Sequence, residues 1–167
     1  MESRAKLMGH AIHPLLVMFP AGLLLISLLF DGLRLLTGQK KWSQVAYWNM
    51  VAGVGSGYLA AIPGLIDWWF LPKGSRAKRI GTVHAISNNV GLGLFIVSLV
   101  QRGSDDEAPS NAALMTALAG ASALGLGGYL GGELVERLGV GVTPGANVNA
   151  PSSLTHPDWK DTANSAG

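Results

Sequence analysis

From Ala11 to Phe30 the chain carries one titratable side chain, His13, and no formal charge. Three more such stretches follow. Trp42 to Ile66 and Ala108 to Gly132 are uncharged, and Ile80 to Val100 contains only His84. A segment needs roughly 20 mostly apolar residues to cross the hydrocarbon of a bilayer. Four stretches meet that test, and they exclude an ordinary water-soluble fold. Only 13% of the 167 residues are charged, against about 25% in a typical soluble domain. The reading is an all-α integral membrane four-helix bundle, up-down-up-down, with helices at about 14–36, 42–70, 82–100 and 111–132. Residues 1–142 form the membrane domain. The Pro-, Asn-, Ser- and Gly-rich stretch 143–167 is expected to be a disordered tail, with Trp159 touching the interface.

Local chemistry sets the expected boundaries. The residue before proline avoids helical geometry, and proline favours the first helical position. Helix 1 is therefore expected to start at Pro14, after a short basic lead, and Pro20 should kink it. Pro63-Gly64 should bend helix 2 one turn before Asp67. Trp48 and Trp68 stand about 30 Å apart at helical rise, which puts one tryptophan at each interface. Pro72 to Ile80 reads as a basic loop, and Gln101 to Ser110 as a loop carrying the acidic triplet Asp105-Asp106-Glu107. The apolar run of helix 1 exceeds the usual signal-peptide core, and no small-residue cleavage site precedes Asp31, so the segment reads as retained.

Four spans put both termini on one side. That side holds Arg4, Lys6, Lys73, Arg76, Lys78, Arg79, Arg137 and Lys160; the other holds Arg34, Lys40, Lys41 and Arg102. The excess of basic residues predicts both termini in the cytoplasm of a bacterial inner membrane. In such a protein the net charge of +2 reports orientation and does not point to nucleic acid. The absence of cysteine removes disulfides, iron–sulfur ligation and thiolate zinc sites.

Alternating helices gather polar residues at one end. Helix 1 starts there with His10 and His13, and helix 2 finishes there with Asp67. Helix 3 starts there with His84, with Asn88 one turn deeper on the same face. Helix 4 finishes there with Glu133 and Glu136. Three readings stay open. In the first, the residues are simply solvated in the headgroup zone, as Glu133, Glu136 and, at the far end, Asp31 are best read. In the second, His13 and His84 are the axial ligands of a b-type haem, since helices on the diagonal of a square bundle lie about 11–14 Å apart. In the third, His10, His13, Asp67 and His84 hold a transition-metal ion, with Asn88 orienting a ligand. The pairs Gly53/Gly57, Gly127/Gly131 and Gly128/Gly132 read as helix-packing faces. No phosphate-binding loop and no nucleophile in a recognisable context is present.

These same residues carry a resemblance. Gly9-His10-x-x-His13-Pro14-x-x-x-x-Phe19-Pro20, Asp31, Gly64-Leu65-Ile66-Asp67, His84-x-x-x-Asn88 and Gly131-Gly132-x-Leu134-Val135 leading to Gly139-Val140-Gly141-Val142 resemble a bacterial membrane family known as domain of unknown function 2231. The resemblance covers residues 8 to about 142. It implies a four-helical bacterial membrane protein. Some relatives look joined to a Rieske-type domain, which implies electron transfer and a redox partner protein. Many relatives carry a histidine where this chain has Leu138. If that histidine is a ligand in them, this chain has one fewer. The functional expectation is a redox-linked, haem- or metal-binding membrane subunit. Its alternative is a structural or assembly partner without cofactor. Proton or small-solute passage through Asp67 and His84 is the weaker third option.

Overall fold

The structure is a computed structural model and describes residues 1–105 and 107–155; Asp106, Trp159 and Lys160 lie outside them. Its order is a two-stranded hairpin (β1, Lys6–Leu7; β2, His10–Ala11) and four helices: α1 (Ile12–Thr37), α2 (Lys40–Phe70), α3 (Arg76–Arg102) and α4 (Asn111–Gly132). A π-helical turn, Glu133–Arg137, extends α4. All four helices are long and apolar enough to cross a membrane. Residues 143–155 form turns without helix or strand.

Two of the boundaries that differ from expectation have a local cause. Helix α1 starts at Ile12, so His13 is already helical. Pro14 is tolerated because its missing N–H falls among the first four donors, which have no acceptor within the helix. The Ile12 amide instead donates to the Ala5 carbonyl at 2.9 Å. Helix α3 starts at Arg76, six residues before the expected Thr82, because the Ser75 hydroxyl accepts from the Lys78 amide at 3.1 Å. An apolar run marks where the hydrocarbon begins, and the cap marks where the helix begins. The loop read from Pro72 to Ile80 therefore shrinks to a few residues. The basic lead also gains structure: Met8 and Gly9, with φ of 49° and 82°, make the two-residue turn of the β hairpin. Helices α1 and α2 run unbroken through Pro20 and Pro63.

Packing makes two helical hairpins, α1 with α2 and α3 with α4, with lighter contact between them. Leu24 of α1 lies on Gly53 of α2, and His13 lies on Gly64. Phe95 of α3 lies on Gly120 of α4, and His84 lies on Gly131. Within each hairpin the helices therefore run antiparallel. A dry layer of Leu24, Met50, Leu92, Phe95 and Ala117 closes the middle. Outward faces carry large apolar side chains, among them Leu25, Leu29, Leu59, Ile62, Ile86 and Val90. Ser27, Ser43, Ser98, Asp31 and Arg102 are buried. Large apolar residues outside and small or polar ones inside suit lipid as the solvent.

The hairpins are two copies of one pattern. Adding 71 to an α1 position gives its α3 counterpart: His13 and His84, Leu24 and Phe95, Ser27 and Ser98, Asp31 and Arg102. Adding 67 does the same from α2 to α4: Ala46 and Ala113, Met50 and Ala117, Gly53 and Gly120, Ala60 and Gly127, Gly64 and Gly131. Leu24 with Phe95, Ser27 with Ser98, Ala46 with Ala113 and Met50 with Ala117 are each fully buried in both copies.

Candidate functional site

His13 and His84 meet where the two copies face each other. Their rings stand 6.2 Å apart between centroids and nearly perpendicular, at 84°. Each ring is held the same way. His13 Nδ1 lies 2.8 Å from the Ala60 carbonyl and His84 Nδ1 lies 2.7 Å from the Gly127 carbonyl. A carbonyl only accepts, so each Nδ1 must be the protonated nitrogen and donate. In a neutral ring so bonded, Nε2 is the nitrogen that carries the lone pair.

Glycine makes this approach possible. A Cβ at Gly64 would fall 2.9 Å from His13 Cε1 and Nδ1, and one at Gly131 would fall 3.1 Å from His84 Cε1. Gly127 faces the Asn88 amide more closely still, a Cβ there falling on its Oδ1. The Gly127/Gly131 pair, expected as helix packing, thus also seats a histidine. Gly128 and Gly132 have no neighbour within 4 Å and open outward. Asn88 Nδ2 lies 3.1 Å from His84 Nε2 and 3.4 Å from its Nδ1, so the amide sits over the face of the ring and not along the Nε2 lone pair. On α1 the counterpart of Asn88 is Val17, so His13 has no such amide.

The other candidates stand apart from this pair. His10 is exposed on β2, its Nδ1 3.1 Å from the Met8 carbonyl. Asp67 is occupied by the segment that crosses this end. Its Oδ2 accepts from Ser3 Oγ at 2.7 Å, and its Oδ1 from the amides of Arg4 and Ala5 at 2.6 and 3.3 Å. Glu133, read as solvated without a partner, pairs with Arg76 at 2.6 Å. Among the described residues no three His, Cys, Asp or Glu side chains are grouped to hold one ion. The convergence of His13, His84 and Asn88 was legible; the engagement of Asp67 by the N-terminal segment was not.

The opposite end holds a pair that sequence reasoning missed. Asp31, read as a solvated helix-end residue, is 1% exposed, and Arg102, read as a loop base, is 5% exposed. Their side chains form a two-bonded bridge, Arg102 Nη1 to Asp31 Oδ1 at 2.7 Å and Nη2 to Oδ2 at 2.5 Å. The signal was in the spacing. Asp31 follows His13 by eighteen residues, and Arg102 follows His84 by eighteen. Eighteen residues are five turns of helix, so both ends of each helix lie on one stripe. An apolar layer separates the two ends.

A family model described as a predicted membrane protein, domain of unknown function 2231, matches residues 9–144. No curated protein and no solved structure matches the chain.

Proposed function

The chain belongs to the domain of unknown function 2231 family of predicted membrane proteins, and from that premise we propose that His13 and His84 form a two-imidazole coordination site in a redox-linked membrane subunit. The observation that carries this reading is the matched pair of Nδ1–carbonyl bonds. Ligating histidines commonly donate their other ring nitrogen to a carbonyl or carboxylate, which fixes the ring and its tautomer. Two imidazoles sharing one ion at 2.0–2.1 Å have ring centres about 5–6.5 Å apart. The observed 6.2 Å falls in that range. The donor set is neutral imidazole, which suits b-type haem iron or a transition-metal ion such as zinc or copper. Asn88, packed over the His84 ring, would help to orient it. Such a group would supply a redox or Lewis-acid centre, and His13 of α1 and His84 of α3 would hold it. The redox link and the redox partner protein come from the family resemblance. The orientation with both termini inside a bacterial inner membrane rests on the distribution of basic residues. Reporter fusions at either terminus test it.

A reduced-minus-oxidised visible spectrum of the detergent-purified protein, with elemental analysis of the same sample, tests the site. Haem or stoichiometric metal is expected, and its loss in His13→Ala and in His84→Ala. Cofactor content that is nil, or unchanged in both variants, removes the proposal.

One observation favours a second reading, a structural partner without cofactor. The Ala60 and Gly127 carbonyls and the Ser3–Ala5 segment already satisfy polar groups at this end from within. A colourless, metal-free protein that co-purifies with one stoichiometric partner would support it.

A further inference from the structure

We infer that the buried Asp31–Arg102 bridge is a positioning device that sets the spacing of His13 and His84 from the far end of the bundle. In its consequence for a cofactor this rests on the coordination reading above; in its geometry it does not.

The argument starts from how the two hairpins are joined. Contact within each hairpin is extensive and contact between hairpins is lighter. Helices α1 and α3 face each other through side chains at three levels. The histidines meet at one end, Leu24 and Phe95 share the central apolar cluster, and Asp31 and Arg102 meet at the other end. Apolar contact is non-directional and resists axial slip weakly. A guanidinium on a carboxylate with two parallel bonds is directional in distance and angle. This bridge therefore sets the axial register and rotation of α1 against α3.

A helix transmits that register. His13 and Asp31 lie on one stripe of α1, and His84 and Arg102 on one stripe of α3, about 27 Å from end to end at helical rise. A rigid rod that slips at one end slips equally at the other. Slip by one residue is about 1.5 Å, whereas metal–ligand distances hold to roughly 0.2 Å. Small losses of register at Asp31 would thus misplace the imidazoles. The two copies also differ at this position, one acidic and one basic, although their surroundings match. Ser27 and Ser98, one turn earlier, are both fully buried. A carboxylate here can be matched by the other hairpin's base and not by a second copy of itself.

The chain has no cysteine, so labels can be placed at will. Leu15 and Ile86 are counterparts on the exposed faces of α1 and α3 beside the histidines. Spin labels on Leu15→Cys/Ile86→Cys in the full chain, read by pulsed electron resonance, report the spacing directly. The apolar pair Asp31→Leu/Arg102→Met removes both charges without stranding either. It is expected to broaden or shift the distance distribution and to weaken Zn²⁺ or haem binding at least tenfold. The exchange Asp31→Arg/Arg102→Asp is expected to restore a narrow distribution. An unchanged, narrow distribution in the apolar pair overturns the inference even where cofactor binds normally. A broadened distribution in a protein that binds neither zinc nor haem in any form leaves the positioning role standing and removes the coordination site.

Discussion

The two hairpins agree where they must pack and differ where they bear charge. In both, a large apolar residue of the first helix, Leu24 or Phe95, lies on a glycine of the second, Gly53 or Gly120. In both, a histidine near the start of the first helix donates to a main-chain carbonyl of the second. Among the matched positions that differ are Asp31 against Arg102, Val17 against Asn88, and Asp67 against Leu134. Leu134 is buried, whereas Asp67 holds the N-terminal segment. The shared pattern supplies a frame in lipid. Packing explains the frame, the matched histidines carry the proposed site, and the departures make the two ends unlike.

The sharpest way to break the comparison is at the charges. Asp31→Ala or Arg102→Ala leaves one ion buried without its partner and is expected to cost about 3–5 kcal/mol. Unfolding in mixed micelles checks this, and Asp31→Leu/Arg102→Met is expected to lose far less. Next come the glycine seats. Gly53→Ala drives a methyl to 2.6 Å from Leu24 Cγ, and Gly120→Ala brings one to 3.1 Å from the Gly91 carbonyl and the Phe95 ring. Each is expected to cost about 1–3 kcal/mol by overpacking, measured by the same unfolding; matched losses would affirm the repeat.

Two smaller effects sharpen the differences. Asn88→Ala removes the amide that lies over the His84 ring and is expected to cost about 1 kcal/mol. Val17→Ala, its counterpart on an exposed face, is expected to leave stability unchanged. Comparing the two imidazoles by nuclear magnetic resonance would check it, with His84 alone perturbed by Asn88→Ala. Smallest is Asp67→Asn, which weakens the acceptor for Ser3, Arg4 and Ala5. Residues 1–11 should exchange amide hydrogens faster while the four helices do not change. Equal protection of that segment in both forms would mean that Asp67 does not hold it.

Part of the site was legible before any coordinates. His13, His84 and Asn88 come together because alternation alone brings them to one end. The Asp31–Arg102 bridge was hidden because each residue sits at the margin of an apolar run, where solvation is the usual reading. Only the two equal spacings, His13 to Asp31 and His84 to Arg102, pointed to it. The start of α3 was hidden because Arg76, Lys78 and Arg79 lie beyond the apolar window while Ser75 already caps the helix.

What the residues alone determine is the class: four spans, their number and their approximate ends. Lipid offers the backbone no hydrogen bonds, so an uncharged run of such length has helix as its one stable form. Tertiary structure decided which groups are satisfied by which. Asp31 finds Arg102 seventy-one residues away, His13 finds the Ala60 carbonyl, and Asp67 is taken by the chain's own beginning. Such partners are chosen by the lateral arrangement of helices, which rests on contacts between small residues far apart in the chain. Apolar runs specify each span separately; the fit between spans specifies the pairs.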